Sequence, residues 1–392
     1  MIVGGILVRL LSTQTSLKLD NRFSCLKILR ILALNGHLEL QNNTFIIYII
    51  LTKKIEALTH SNIKNYVLLS YMKSDIKVTK VSYNKFSGLT SSKLVLSFKN
   101  ANTSLINTIR RVCLAYIPTY AFCSEGIKIS ENTSIYDNDY MRLRLSQLVI
   151  PDLKIPINYL NEQFWHEVNY NDMDRPKHPD DTQNIEMYLN VTNDTADKLD
   201  VTTNHAEFYI DGERIQPFNK EYPSLLIQLR PNDKFNVHMK AMLGLGRTND
   251  IWGAARNSYY NVEEDNSITF TVESIGQLTE FDILDKACMI IKRKVYDLKT
   301  ILSDKYKDLE LEDNILTIVL DNEDHTIGGI LNEYLQENKD VIFSGMCKPD
   351  LLIQQVIIKL QCKKDPLKVV NETIDTITDL MDDLKEMFKK LK

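Results

Sequence analysis

Leu94-Val95-Leu96-Ser97-Phe98 runs through a short polar break into Asn102-Thr103-Ser104-Leu105, and the same plan returns 222 residues on. There Leu316-Thr317-Ile318-Val319-Leu320 leads into Asp324-His325-Thr326-Ile327. In each copy an apolar run of strand character precedes Asn or Asp, then Ser or Thr two positions later, then Leu or Ile. A short side-chain oxygen at the first of these positions satisfies backbone N–H groups left free in the first turn of a helix. Asn102 and Asp324, with His325 beside it, therefore mark two helix starts. Leu105, Ile109 and Val112 fall on one helical face in the first copy, and Ile327, Leu331 and Tyr334 do so in the second. Ile109 and Leu331 are matched, each seven residues after its capping residue. A chain holding two such α/β units pairs them most simply with each other, as an internal pseudo-dimer.

Each copy also supplies a longer helix. Asp282 opens one whose apolar positions are Leu284, Ala287, Ile291, Val295, Leu298 and Leu302. The C-terminal helix repeats Leu367, Val370, Ile374, Ile377, Met381, Leu384, Phe388 and Leu391 at alternating spacings of three and four. One reading is a single amphipathic helix lying on a sheet. The other, favoured by the regularity, is a coiled-coil-like seam against the helix at 282–302, which places Ile374, Met381 and Leu384 at the pseudo-dimer interface.

Between the units, residues 152–235 change character. Pro176 and Pro179 sit in an acidic polar stretch, followed by short alternating segments at 185–191, 198–202, 207–210 and 225–229. The expected organisation is α+β. A first dimerisation unit, with an antiparallel sheet and two helices, spans 72–151 plus 236–302. A mostly β subdomain at 152–235 interrupts it. Residues 303–314 form a linker, and a second unit spans 315–392.

The chain has 392 residues, 44% hydrophobic and 25% charged, the composition of an ordinary globular protein. Its net charge of −5 is uneven: residues 1–71 hold eight Lys/Arg against three Asp/Glu, so the remainder carries −10. An acidic body argues against primary nucleic-acid binding, which relies on Lys and Arg at the phosphates. No apolar run approaches the roughly 20 residues that cross a bilayer as a helix. Cys25, Cys113, Cys123, Cys288, Cys347 and Cys362 show no CxxC-type spacing and no matching His pair. They read as reduced, mostly buried thiols, with no metal and no cofactor expected. Residues 1–71 keep neither helical nor strand periodicity for long. A start at Met72, just before the alternating run Ile76 to Val81, is the favoured reading, beside an idiosyncratic extension or a basic, acid-poor transit peptide.

Catalytic readings are weak. Asp172, Asp174, Asp180 and Asp181 lie in the Pro-containing stretch, and Asp382-Asp383 on the polar side of the last helix, where solvated faces explain them. A metal-dependent nucleotidyl transferase or nuclease needs carboxylates converging on a cation. His325 has no nucleophile near it in sequence. Gly244-Leu245-Gly246-Arg247 lacks the third glycine of a dinucleotide fingerprint and reads as a tight turn.

These residues carry a family likeness. Asn102 to Val112 with Ile117-Pro118-Thr119, then Asn132-Thr133-Ser134-Ile135, then Val272-Glu273-Ser274-Ile275-Gly276-Gln277-Leu278, resemble the large α-like partner of multisubunit DNA-directed RNA polymerase. That is the third-largest subunit of the eukaryotic enzymes, of the archaeal D type. Glu323-Asp324-His325-Thr326-Ile327-Gly328 and Val341-Ile342-Phe343-Ser344-Gly345 resemble its small partner, of the archaeal L type. The likeness covers 72–392 and is suggestive of the fused forms of large DNA viruses of eukaryotes. It departs from the family pattern at Asp137 to Ser146 and at Lys348-Pro349-Asp350. Residues 152–235 also lack the cysteine cluster that some large partners carry. The resemblance implies a non-catalytic assembly platform that docks the large catalytic subunits, with Arg110 and Arg111 facing one of them. It implies contact with other polymerase subunits, DNA met only through the complex, no membrane and no need of a homodimer. An intracellular, reducing setting follows: nucleus or, if viral, host cytoplasm and virion. The alternatives are a free-standing dimerisation module or the metal-dependent enzyme above.

Overall fold

The structure, a computed structural model, describes residues 76–85, 92–160, 183–306, 314–350 and 352–392. The readings of residues 1–71, of the acidic cluster at 172–181 and of most of the 303–314 linker lie outside the described residues.

Strands β1 (Lys77–Lys85) and β2 (Ser92–Lys99) form an antiparallel hairpin. In β2 every second residue is buried, Leu94, Leu96 and Phe98 among them, the period that puts one strand face on a core. Helix α1 (Thr103–Ala115) follows, with Asn102 as its cap: its side-chain Oδ1 accepts from the Leu105 N–H at 2.7 Å. Later in the chain, β10 (Ala255–Val262) and β11 (Ile268–Ser274) close the first sheet, in the order β1-β2-β11-β10. The long helix α3 (Glu280–Lys305) leaves it, its first turn capped by Thr279.

The second unit repeats this order. Strand β12 (Ile315–Asp321) precedes helix α4 (His325–Glu337), capped by Asp324, whose Oδ1 accepts from the Thr326 N–H at 2.7 Å. The hairpin of β13 (Val341–Cys347) and β14 (Gln355–Cys362) then precedes helix α5 (Pro366–Leu391). Its sheet runs β12-β14-β13, the counterpart of β2-β11-β10. α1 and α4 are both 13 residues long, and α3 and α5 are both 26. The repeat legible in the sequence is thus a repeat of two antiparallel sheets, each backed by a short and a long helix.

The β-rich insert is wider than the 152–235 expected. β3 (Pro118–Asn132) pairs with β9 (Lys234–Leu245), and β9 also pairs with β4 (Ile185–Thr192). With β6 (Glu207–Ile210) and β7 (Glu213–Ile215) they make a five-stranded sheet in the order β3-β9-β4-β6-β7. β5 (Leu199–Thr202) and β8 (Leu225–Leu229) make a separate ribbon. The segments around 118–132 and 236–245, which fall within the expected bounds of the first unit, therefore belong to the insert's sheet. Alternation alone reveals a strand and not its neighbour, and β9 makes both of its ladders inside the insert. A short helix, α2 (Asn138–Ser146), packs on β3. Gly246 opens the turn that ends β9, and Gly244 lies close beneath the Trp252 ring, whose indole N–H donates to Met242 O at 2.9 Å.

Candidate functional site: the joint between the two units

The four helices of the repeated units pack on one another: α1 on α4 and α3, α3 along α5, and α4 on α5. The centre is apolar. Leu105, Ile109, Val112, Ile327, Leu331, Ile374 and Leu384 are wholly buried, Met381 nearly so, and Tyr334 is half-buried against the same core. Such side chains contribute about 1.5–3 kcal/mol each when fully removed from water.

The long helices α3 and α5 run antiparallel. Lys292 pairs with Asp382 at 2.5 Å, Lys299 with Asp375 at 2.5 Å, Asp285 with Lys385 at 3.3 Å and Asp282 with Lys392 at 3.0 Å. Residue numbers thus rise on one helix as they fall on the other. These pairs flank an apolar seam; being mostly solvent-facing, each adds little by itself, and together they fix the register.

A second polar set sits where α1 crosses the start of α4. Arg111 Nη2 donates to Asp324 Oδ2 at 2.6 Å and its Nε donates to Thr326 Oγ1 at 2.8 Å. Thr108, buried on α1, donates to Thr326 O at 3.0 Å. Ser104 donates to Glu333 Oε2 at 3.2 Å, and Asn102 Nδ2 to Glu337 Oε1 at 3.4 Å. Deeper still, Lys294 of α3 pairs with Glu323 at 2.9 Å, both side chains almost fully buried, and the Lys294 ammonium lies 4.8 Å from the Tyr116 ring centroid. The Tyr116 hydroxyl donates to Asp324 Oδ2 at 3.4 Å. Burial pushes the Asp324 carboxyl up, but the Thr326 hydrogen bonds and the Arg111 guanidinium outweigh it and hold the group below its ordinary value.

The residues singled out from sequence are therefore not all placed alike. Asn102 and Asp324 cap α1 and α4. His325 is the exposed first residue of α4. Arg110 and Arg111, grouped together as facing outward, diverge. Arg110 bonds Asn107 on its own helix through Nε, at 3.0 Å, whereas Arg111 turns inward to Asp324 and Thr326. A side chain one residue further along a helix points about 100° away, and its partner here lies 213 residues distant. Sequence reasoning also passed over Lys294 and Glu333. Glu323 opens the second copy's motif, and that was its only visible signal.

The stretch 272–278 has its own structural use. Glu273 pairs with Lys93 at 3.2 Å. Ser274 Oγ accepts from the Gly276 N–H at 2.9 Å, and Gly276 turns with a positive φ of 105°. Gln277, buried, donates through Nε2 to Tyr120 O at 2.8 Å and to Ile150 O at 3.2 Å, and accepts from the Tyr120 N–H at 2.9 Å. It thereby ties the insert's first strand to the root of α3. Lys286 does the same for the segment at 155–158. Its ammonium donates to Ile155 O, Ile157 O and Asn158 Oδ1 at 2.8–2.9 Å, and burial pulls its pKa down to about 8. Burial pushes the Cys113 thiol up to about 12 and Cys288 up as well, so neither is poised as a nucleophile. Of the acidic residues at 382–383, Asp382 pairs with Lys292. Among the described residues no group of three or more His, Cys, Asp or Glu is placed to hold a metal ion, and no helix is long and apolar enough to cross a membrane.

Two family models match, both described as the RNA polymerase Rpb3/Rpb11 dimerisation domain: one over residues 95–295, the other over 315–387. Among curated proteins, the chain is 27% identical over 348 residues to a protein named as a DNA-directed RNA polymerase subunit of Acanthamoeba polyphaga mimivirus, covering 82% of this chain and 96% of that one. It is 23% identical to DNA-directed RNA polymerase subunit Rpo3 of Methanocaldococcus jannaschii, over 52% of this chain and 86% of that protein. A conjugation stage-specific protein of Tetrahymena thermophila is 24% identical over 48% of this chain and 60% of its own length.

Proposed function

The chain belongs to the RNA polymerase Rpb3/Rpb11 dimerisation-domain family and carries two such domains in tandem; from that premise we propose that the joined pair presents Arg110 and the adjoining surface of α1 to a large catalytic subunit. The chain is a DNA-directed RNA polymerase subunit with a duplicated α-like domain, and its part in transcription is assembly. The observation that carries the docking proposal is the single four-helix core made by both units, which holds α1 and α4 in one fixed relation. A large subunit docking there meets one composite surface and not two loosely tethered ones. Arg111 is committed to Asp324, so the docking role falls to Arg110. Of its guanidinium nitrogens only Nε is bonded among the described residues, leaving the fork for a carboxylate of the partner. DNA is met through the assembled enzyme, and other polymerase subunits are the remaining partners. As a polymerase subunit the chain works inside cells. The viral relative, matched over nearly its whole length, favours host cytoplasm and virion over the nucleus.

Affinity purification of the full-length chain co-expressed with the two large catalytic subunits tests this. Wild type should retain both, and Arg110→Ala should recover about tenfold less of one large subunit, the order of a lost charge-assisted contact, with its melting temperature unchanged. Wild-type recovery by Arg110→Ala would remove Arg110 from the docking surface.

A further inference from the structure

The two units are equivalent in fold and opposite in charge at the joint. α1 and α4 correspond residue for residue from their caps, so Asn102 matches Asp324, Ala101 matches Glu323, and Arg111 matches Glu333. The long helices correspond equally well: Leu284, Ile291, Val295, Leu298 and Leu302 match Val370, Ile377, Met381, Leu384 and Phe388, so Lys294 matches Leu380. The buried pair Lys294–Glu323 therefore has, at the position related by the pseudo-two-fold axis, Leu380 and Ala101. Both are apolar and packed on the core. The pair Arg111–Asp324 has as its counterpart positions Glu333 and Asn102; there Glu333 accepts from the Ser104 hydroxyl and Asn102 donates to Glu337, so neutral groups stand where the other half has an ion pair.

We propose that Lys294–Glu323, with Arg111–Asp324 beside it, is a specificity lock: it lets the first unit pair only with a second unit and forbids pairing of like units between copies. The proposal rests on the reading of the chain as a paired platform and adds what selects the pair. Two first units together would bury Lys294 against the partner's Ala101 and set Arg111 against a neutral asparagine. Two second units would bury Glu323 against Leu380 and bring Glu333 up to Asp324, carboxylate to carboxylate. A buried charge without its counterion is costly wherever it occurs, so both like pairings carry a penalty that the unlike pairing lacks. Specificity of this kind comes from repulsion and desolvation in the wrong complex as much as from attraction in the right one.

The test uses the full-length chain with a protease site placed between Tyr306 and Asn314, folded intact and cleaved afterwards. The halves then exchange without the advantage of their tether. Isotopically labelled and unlabelled samples are mixed, and native mass spectrometry counts unlike and like pairs. Wild type should yield unlike pairs only. Lys294→Leu with Glu323→Ala, which gives each position the residue of its counterpart, should raise like pairs at least about tenfold, the measure of a lost discrimination of that size. Lys294→Glu alone should drive first halves out of unlike pairs, and adding Glu323→Lys should restore them, a rescue that reads the lock even where the apolar variant does not fold. Like pairs in cleaved wild type, an apolar variant that folds and stays exclusively unlike, or failure of the reversed pair to rescue would each overturn the lock. Recovery of the large subunits by the uncleaved chain tests the platform separately, and does not depend on which halves pair after cleavage.

Discussion

Asp324 does three things with one carboxylate: it caps α4, accepts from Arg111, and accepts from Tyr116. The cap is a local matter, legible from a short polar residue before an apolar period. The other two contacts are not, because nothing in the sequence near Asp324 announces an arginine on another helix. The same limit explains why Arg110 and Arg111 read alike in the sequence and part company in the fold. The charge state of Asp324 then has a stability consequence. Its carboxyl is held below the ordinary value near 3.9, so the folded state releases the proton more readily than the unfolded chain. The stabilisation is therefore fully present above about pH 4 and is lost as pH falls through the lower folded value. Asp324→Asn should cost about 1–3 kcal/mol at neutral pH, from the weakened contact with Arg111, and should flatten the loss of stability below about pH 4. Thermal melts of both proteins across the acid range check this; parallel acid limbs would mean that Asp324 is not the group responsible.

At the scale of elements, periodicity located the four bundle helices and most strands to within a few residues, because each buries one stripe or one face. It gave no reading of β3 or β9, which lie in the insert's sheet. Close packing sets finer demands that no periodicity carries. A Cβ added at Gly328 of α4 would sit 2.8 Å from Val356 Cγ1 on the central strand β14 and 2.9 Å from Met346 Sδ, whereas at Gly329 it would meet nothing within 4 Å. Gly328→Ala should therefore lose about 1–3 kcal/mol from overpacking. Gly329→Ala should gain about 0.5–1 kcal/mol from helix propensity. Opposite shifts of the denaturation midpoint are expected, and shifts of one sign would show that the helix can slide to make room. Three residues on, Leu331 is wholly buried beneath the crossing. Leu331→Asp would strand a carboxylate there, costing several kcal/mol even after its pKa rises to favour the neutral form. Against a total of about 5–15 kcal/mol, that should unfold or separate the second unit, and a wild-type melting curve would remove Leu331 from the shared core.

At the scale of the molecule, the repeated plan was enough to give the pairing of the units, since two half-cores of the same design have no better partner than each other. What it left open was why the pairing is unlike and not like, a matter of Lys294, Glu323, Arg111 and Asp324 meeting from distant parts of the chain. Every contact at the joint is non-covalent, and the two units are joined by one stretch between Tyr306 and Asn314. A short tether of this kind supplies an effective concentration of about millimolar, while an obligate interface typically buries on the order of 2,000 Å² or more and holds without a tether. Cleaving the folded chain in that stretch should therefore leave the pair assembled at micromolar concentration. It should also make the melting temperature depend on protein concentration, because unfolding now releases two molecules in place of one. The intact chain should melt at one temperature over the same dilution series. A cleaved chain whose melting temperature stays constant would mean that the halves unfold independently, and so share no core. A cleaved chain that falls apart at micromolar concentration would mean that the tether, and not the four-helix joint, holds the platform together.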